Sequence, residues 1–296
     1  MLKRYCNCLC LFTLFAVHAA YATVDARDAE GRVVSLHKPA QRVIALAPHI
    51  VENLYSIDAQ SSIVGAVQYS DYPEPAREIP RVGGVGSMSL EKIVALQPDL
   101  VILWGSGTPP GLRSGIERLG LPYFIDEVRS LADLKHSLQA LGTLTGRISQ
   151  AEQITAELQS SIAQVTANAR TGGKSERPEV FLQLWNQPLQ SIGKDHLLNE
   201  VIERCGGRSI TDSIIGLAPL VSMERVLADD PALIIVENHQ QSLHWKSYPQ
   251  LQAIKNDHVA VIDPDLLHRP TLRLLQGMQI ICEHVNASRR DVSASD

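Results

Sequence analysis

The sequence predicts an α/β protein of two Rossmann-like lobes joined by one long rigid helix. Strand-like apolar runs alternate with helical patterns along most of the chain, which is typical of parallel α/β layering. Two stretches read almost alike: SLEKIVALQPDLVI at residues 89–102 and SMERVLADDPALII at residues 222–235. Between them, residues 148–170 form one amphipathic helical pattern. A duplicated stretch on either side of a long helix indicates two similar halves.

The first 22 residues predict a cleaved secretory signal peptide. Lys3 and Arg4 precede an apolar core at residues 9–17, and Ala20 and Ala22 frame a small-residue cleavage site. The core is too short for a transmembrane helix, so the mature chain is expected to be exported and soluble. Three cysteines of this segment fall before or inside the core, which makes lipidation the less favoured alternative.

The charge of the chain argues against a nucleic-acid partner. Its formal net charge is −5, and cleavage of the two basic residues of the signal peptide would make the mature protein more acidic. Its length is sufficient for two lobes that each bury a core. The expected domains are a signal peptide at 1–22, a first lobe at 23–146, an interlobe helix at 147–171 and a second lobe at 172–296.

The first lobe follows a strand–helix alternation. Leu90, Ile93 and Val94 lie at helical spacing, and Pro98 ends that helix before the next apolar run. The short apolar runs bounded by turn residues are interpreted as strands. In order, the predicted elements are strand 42–46, helix 50–57, strand 63–67, helix 90–96, strand 100–103, strand 123–125 and helix 131–141.

The interlobe helix and the second lobe continue the pattern. Ile154, Leu158, Ile162 and Val165 form an apolar stripe on a helix of about 33 Å, and the turn residues at 171–175 end it. The second lobe then contains a strand, a helix, the second repeat copy, a strand and a final helix. These are expected at residues 180–184, 197–204, 222–235, 259–262 and about 271–286.

Two cysteines remain after cleavage of the signal peptide, Cys205 and Cys282. In an exported chain an even number of cysteines suggests one disulfide. Two separately buried thiols are the alternative, and a metal site would need more ligands nearby.

Several motifs occur in order along the mature chain: Tyr69-Ser-Asp-Tyr-Pro73, residues 90–102, Val-Phe-Leu-Gln at 180–183, Gly193-Lys194, Cys-Gly-Gly at 205–207 and Val-Ser-Met-Glu at 221–224. Together they resemble the class III periplasmic substrate-binding proteins of ABC importers, and most closely the cobalamin-binding branch of that class. The resemblance implies a periplasmic monomer that binds a small molecule between its lobes. Its partners would be that ligand and the inner-membrane permease and ATPase complex.

The resemblance also gives the repeated stretches a function. In the class, a glutamate at the outer end of each lobe engages arginines on the permease, and by position these are Glu91 and Glu224. Each is expected in the first turn of a helix, where the helix dipole favours a carboxylate. Ordinary capping chemistry after a serine is the alternative reading of either glutamate alone.

The resemblance implies ligand contacts at the carboxyl ends of strands. Tyr69 and Trp104 occupy positions where the branch packs aromatic rings against the corrin, and broad rings give a macrocycle contact area at low entropy cost. Tyr72 and Trp185 are further candidates, although Trp185 lies one residue beyond the aromatic position of the branch, which is Leu184 here.

Polar ligand contacts are expected from Arg269 and His49. Arg269 falls where the class has an arginine-containing cleft loop, and its guanidinium fork suits amide or carboxylate groups. Arg273 is expected to be structural. His49 follows the first strand and could contact the ligand or its metal centre, whereas a structural hydrogen bond is the commoner role of such a histidine.

Two positions depart from the cobalamin-binding branch, which has tryptophans where this chain has Val85 and Ala218. Haem or a ferric siderophore is therefore the alternative cargo, and a bare zinc or manganese ion is a weaker one, because no His-rich loop is present. The cargo would be transported, and no resident cofactor or protein-bound metal is expected.

An exported enzyme is the third possibility. Gly83-Gly84-Val85-Gly86-Ser87 lacks the lysine and the full spacing of a phosphate-binding loop. Residues 105–107 lack the spacing of a nucleophile elbow, and the mature chain contains neither His-Glu-x-x-His nor Cys-x-x-Cys. No catalytic residues are therefore predicted.

Overall fold

The computed structural model describes residues 23–84, 87–169 and 177–292. The predicted signal peptide, Val85 and the turn predicted at 171–175 lie outside the described residues. No helix in these ranges is long and apolar enough to cross a membrane.

The first lobe begins with a hairpin that the sequence patterns did not reveal and continues as alternating strands and helices. Its strands are β1 (Val24–Arg27), β2 (Val33–Leu36), β3 (Val43–Ala45), β4 (Ile63–Val67), β5 (Arg81–Gly83), β6 (Leu100–Trp104) and β7 (Tyr123–Asp126). Its helices are α1 (Pro48–Ser56), α2 (Leu90–Ala95), α3 (Pro110–Arg118) and α4 (Leu131–Thr145).

Five of these strands form one parallel sheet in the order β5-β4-β3-β6-β7. The central strand β3 is wholly buried, as are the first four residues of β6, because helices cover both faces of a parallel sheet. One apolar core, which includes Ile50 and Leu54 of α1, lies on one face. A second core, which includes Ile93 and Ile116, lies on the other. The first lobe is therefore a three-layer α/β unit.

The interlobe helix α5 runs from Ile148 to Ala169. Leu158, Ile162 and Val165 of the predicted stripe are buried, and Ile154 packs against the same core at partial exposure. The helix packs against α4 of the first lobe and against the C-terminal helix of the second. One apolar face thus joins the cores of both lobes.

The second lobe is built in the same way. Its strands are β8 (Glu179–Trp185), β9 (Gln190–Ser191), β10 (Arg208–Ser209), β11 (Leu233–Val236) and β12 (Val259–Val261). Its helices are α6 (Leu197–Arg204), α7 (Met223–Asp229), α8 (His239–Trp245), α9 (Gln252–Lys255) and α10 (Leu274–Val292). The parallel strands lie in the order β10-β8-β11-β12, and β9 pairs antiparallel with β8.

The two repeated stretches fold alike. Each begins with a serine N-cap, Ser89 or Ser222, whose side chain accepts a hydrogen bond from the backbone three residues on. Each then forms a short helix followed by a buried strand, α2 and β6 in one copy and α7 and β11 in the other. The residue before the proline is left-handed in both, with φ of 48° at Gln97 and 40° at Asp230. The duplication therefore extends to the backbone conformation.

The final helix differs from its expected start. It was predicted from about Thr271, whereas α10 begins at Leu274 and continues to Val292. Thr271 is buried, and its hydroxyl accepts a hydrogen bond from the backbone N–H of Arg273. This local bond competes with helix formation, as threonine side chains commonly do.

Cys205, at the C-terminal end of α6, faces Cys282 of α10. Their sulfur atoms lie 1.99 Å apart and their Cα atoms 4.6 Å apart, which are the distances of a disulfide. Both side chains are buried in the core of the second lobe. The pair therefore joins two helices of one lobe.

Candidate ligand-binding cleft

Four side chains follow the parallel strands of the first lobe at their carboxyl ends. His49 lies four residues beyond the end of β3, in the first turn of α1, Tyr69 follows β4, Trp104 ends β6 and Asp126 ends β7. Because these strands are parallel neighbours, the four residues lie along one edge of the sheet. This is the edge at which open α/β sheets bind ligands.

Tyr69 is presented to solvent on an unusual backbone. Its relative exposure is 71%, and its φ of 64° lies in the left-handed region. That conformation costs a residue other than glycine about 1–3 kcal/mol. An exposed aromatic ring on such a backbone suggests a binding role, because burial of the ring cannot compensate for the cost.

Trp104 is half-buried and is held from two sides. The backbone of Gly107 lies so close to its ring that a Cβ there would overlap it, so only glycine fits. The His49 ring meets the Trp104 ring edge-on, with centroids 5.7 Å apart at 85°. The ring of Trp104 is therefore fixed before any ligand binds.

His49 is buried rather than exposed to the cleft, with 5% relative exposure. Its Nε2 lies 3.4 Å from Oδ2 of Asp126. Among the described residues, neither of these two atoms makes a hydrogen bond of good geometry. The structure therefore places His49 behind Trp104, as support for the ring.

In the second lobe, Trp185 ends β8 with 59% relative exposure, and its Nε1 donates a hydrogen bond to the carbonyl of Gln187 at 3.1 Å. Ala218 is also exposed, in a loop that exposes the aliphatic side chains of Ile215 and Leu220. The sequence patterns did not reveal these two residues, because an isolated apolar residue in a loop carries no periodicity.

A cluster of charged side chains joins the lobes, and we call it the interlobe clasp. Glu52 of α1 receives hydrogen bonds from Arg269 Nη1 at 2.9 Å and from Arg273 Nε and Nη2 at 3.0 and 2.8 Å. Arg269 also donates to Asp71 at 2.9 Å and lies 3.0 Å from Asp265. Three carboxylates thus surround two guanidinium groups.

The clasp extends to two neighbouring groups. The Arg273 guanidinium lies 4.1 Å from the ring centroid of Tyr72, in cation–π geometry. Asn53 Nδ2 donates to the carbonyl of Pro270 at 3.1 Å. Tyr72 is 46% exposed, so one part of its ring contacts Arg273 while another part is open to solvent.

The electrostatics of the clasp favour the charged forms. Burial opposes the charge of Arg269, yet the hydrogen bonds that it donates to Glu52 and Asp71 raise its pKa above the ordinary value. Asp71 is also partly desolvated, but its bond with Arg269 lowers its pKa. The side chain of Glu52 is only 3% exposed, and a buried carboxylate needs such partners. The positive charge of Arg269 is therefore already balanced by protein carboxylates in this structure.

Arg269 was predicted from the sequence as a ligand contact and Arg273 as structural, whereas Glu52, Asp71 and Asn53 were not predicted. A signal for Glu52 was present, because the residue lies among Ile50, Val51 and Leu54 on a short helix. A carboxylate on an apolar helix face needs a buried cation as its partner.

Glu91 and Glu224 occupy equivalent places on the two lobes. Each is exposed in the first turn of its helix. A hydrogen bond from the Ser89 side chain lowers the pKa of Glu91, and backbone hydrogen bonding, followed by Ser222, lowers the pKa of Glu224. Both carboxylates are therefore charged at neutral pH and accessible to a partner.

The part of the chain that the structure describes contains no site arranged for a bare metal ion. No group of three or more His, Cys, Asp or Glu side chains there is arranged to hold an ion.

Known proteins resemble this chain across both lobes. Residues 43–266 match the family model described as periplasmic binding protein. The chain is 31% identical to a vitamin B12-binding protein of Vibrio cholerae serotype O1 over 257 residues, which cover 85% of this chain and 91% of that relative. It is 29% identical to a vitamin B12-binding protein of Vibrio parahaemolyticus, with 86% and 92% covered.

Solved structures show the same similarity. The crystal structure of the periplasmic vitamin B12-binding protein BtuF of Vibrio cholerae matches with a TM-score of 0.79 and 28% identity, over 85% of this chain and 99% of that chain. The periplasmic heme-binding protein RhuT of Roseiflexus sp. RS-1 matches with a TM-score of 0.74 and 20% identity, over 84% and 99%. The second likeness concerns the fold alone.

Proposed function

This chain belongs to the family of periplasmic binding proteins, and from that premise we propose that it captures cobalamin or a related corrinoid between its lobes. The observation that carries the proposal is the pair of aromatic side chains at the carboxyl ends of β4 and β6. These strands flank β3, so Tyr69 and Trp104 begin about 10 Å apart at the sheet edge. That spacing suits a flat macrocycle that spans both rings.

The preorganisation of the two rings supports binding. Trp104 is fixed by Gly107 and His49, and Tyr69 is already exposed. When a ligand stacks on rings held in this way, the free-energy cost of ordering their side chains is small. Tyr72 and Trp185 are exposed at the same edges of the two lobes, and we propose that they add contact area.

The charge of the clasp favours a neutral cargo. Arg269 faces Glu52, Asp71 and Asp265, so a ligand carboxylate would have to compete with protein carboxylates for it. An amide oxygen can accept from the remaining N–H groups of Arg269 without displacing an ion pair. Corrinoids carry amide side chains around the ring, whereas haem carries carboxylates.

Haem or a ferric siderophore is the second candidate, and one observation favours it. Ala218 is exposed in the loop before the second repeat copy, where the cobalamin-binding branch has an aromatic ring, and the other departure, Val85, lies outside the described residues. A cargo of different outline could use the space that a small side chain leaves.

We propose that residues 1–22 direct the chain to the periplasm, where the disulfide of Cys205 and Cys282 forms. The loaded protein then presents Glu91 and Glu224 to the permease of an ABC importer. Two charged contacts, one per lobe, would fix its orientation on the permease more than they add affinity. The corrinoid is cargo, and the protein needs no catalytic activity.

The test is calorimetric titration of residues 23–296 with cyanocobalamin, with haemin and a ferric siderophore as competing candidates. We expect saturable binding of cyanocobalamin with a nanomolar dissociation constant, which is about −12 kcal/mol. Tyr69→Ala and Trp104→Ala should each weaken it about tenfold or more, the equivalent of about 1.4 kcal/mol. Leu119→Ala, which removes an exposed side chain at the end of α3, is the control. Saturable binding of haemin or the siderophore without binding of cyanocobalamin would contradict the proposal.

A further inference from the structure

The second lobe contains a histidine–carboxylate pair that the contacts described above do not use. Nε2 of His268 lies 2.6 Å from Oε1 of Glu237. The side chain of His268 is 33% exposed and that of Glu237 is 17% exposed. Nδ1 of His268 makes no hydrogen bond to any of the residues that the structure describes. One ring nitrogen is therefore engaged and the other faces no protein partner.

The pair lies at the lobe boundary. Glu237 directly follows β11, and His268 lies in the loop after β12, the parallel neighbour of β11. Both therefore lie at the carboxyl edge of the second sheet. The next residue, Arg269, reaches Asp71 of the first lobe, which is two residues from Tyr69. His268 is thus adjacent in sequence to a residue of the interlobe clasp.

The chemistry of this pair is that of a metal-binding histidine. A carboxylate that accepts the Nε2 proton fixes the tautomer and orients the ring. Nδ1 then carries a lone pair. A bare ion needs several protein ligands, which the described residues do not bring together. A metal chelate already has its equatorial positions filled and needs one axial donor.

We propose that Nδ1 of His268 binds the central metal of the cargo as an axial ligand when that axial position carries water. The lone pair of Nδ1 forms the new bond to the metal, a water molecule leaves, and the oxidation state of the metal does not change. This inference rests on the proposed function, because it takes the cargo to be a corrinoid or a related metal chelate.

The other histidines near the cleft are less suited to this role. His49 is buried behind Trp104. His196 uses Nδ1 to accept a hydrogen bond from the backbone of Leu198, as the N-cap of α6. His268 combines an oriented ring, an open Nδ1 and partial exposure.

The experiment compares two corrinoid probes on the full mature protein. Diaquocobinamide carries water on both axial faces of its cobalt, whereas cyanocobalamin carries cyanide on one face and its own benzimidazole on the other. We expect the visible absorption bands of diaquocobinamide to shift on binding, as nitrogen replaces water, and those of cyanocobalamin to stay unchanged. Both affinities are measured by calorimetry in parallel.

Three variants test whether His268 causes the shift of the absorption bands. His268→Gln should abolish it and weaken diaquocobinamide about tenfold or more, the size of one modest interaction, while cyanocobalamin binds as before. Glu237→Gln should reduce the shift, because a neutral amide supports the ring less. His244→Gln, a change on α8 where the ring packs against Trp245 and Tyr248, is the control and should retain it.

The outcomes separate this inference from the proposed function. Saturable binding of diaquocobinamide without a spectral shift, or a shift that survives His268→Gln, overturns the inference and leaves corrinoid binding in place. Failure of both probes to bind overturns the proposed function itself, and the axial ligand with it.

Discussion

Replacing Glu52 by Gln should destabilise the protein far more than replacing an exposed glutamate. The side chain of Glu52 is 3% exposed and accepts three hydrogen bonds from Arg269 and Arg273, whose side chains are 13% and 16% exposed. A neutral amide would leave both guanidinium groups without their shared counter-charge. Asp71 and Asp265 remain, but they are about two-fifths exposed.

The magnitude follows from the loss of a buried partner. Removing one member of a buried ion pair costs about 3–5 kcal/mol. Because Asp71 and Asp265 retain part of the charge balance, we expect the lower part of that range or slightly less, about 2–4 kcal/mol. The free energy of unfolding is measured by urea denaturation of the mature protein at pH 7. If the slope of the unfolding free energy against urea concentration is unchanged, the native state keeps its compactness.

Glu30→Gln is the matched control. Glu30 pairs with Arg113 at 2.6 Å, but its side chain is 50% exposed, and exposed pairs contribute about 0–1 kcal/mol. The double variant Glu52→Gln with Arg273→Met should lose less than the sum of its single losses, by about 0.5–3 kcal/mol. If Glu52→Gln costs no more than Glu30→Gln, or if the two losses simply add, the clasp does not hold the lobes as argued.

Three further predictions concern the disulfide, pH and docking. Replacing Cys205 and Cys282 by Ser should lower the free energy of unfolding by up to about 4.5 kcal/mol, as expected for a separation of 77 residues, and an unchanged urea midpoint under non-reducing conditions would contradict a formed bond. Burial, followed by the charge of His268, lowers the pKa of His196 from 6.5 to about 4. Between these two pH values the unfolded chain binds a proton that the native state does not bind. Stability should therefore fall as pH drops from about 6.5 to 4, by at most about 3 kcal/mol. His196→Asn keeps an N-cap and should flatten that part of a pH series of urea midpoints. Glu91→Ala with Glu224→Ala should leave cyanocobalamin affinity unchanged and reduce uptake into vesicles that contain the permease, whereas unchanged uptake would make both glutamates structural.

The fold could be predicted from the sequence because its signals are local. The strand 63–67 was expected at the bounds of β4, and the helix 197–204 at those of α6. Apolar runs and helical spacing report which face of an element is buried. The hairpin of β1 and β2 was missed, since its short alternating strands follow the signal segment and carry little apolar pattern.

The candidate site could be predicted only in part. Tyr69 and Trp104 were predicted as ligand contacts at strand ends, where an α/β sheet binds its ligand, and the structure places both residues at such ends. Ile215 and Leu220 were not found, because exposed loop residues have no period. The roles of these residues in binding stay predictions until the titrations are made.

The sequence by itself determined the alternation of strands and helices, the duplicated stretch, the long helix between the lobes and the equivalent places of Glu91 and Glu224. Only the tertiary structure decided that Arg269 and Arg273 of one lobe share Glu52 of the other, and that His268 pairs with Glu237. The reason is physical. Periodicity records which face of each helix or strand is buried. A buried charge is instead paired with whichever opposite charge the packing of the lobes brings within 3 Å. The partner of Glu52, Arg269, lies 217 residues away in the chain.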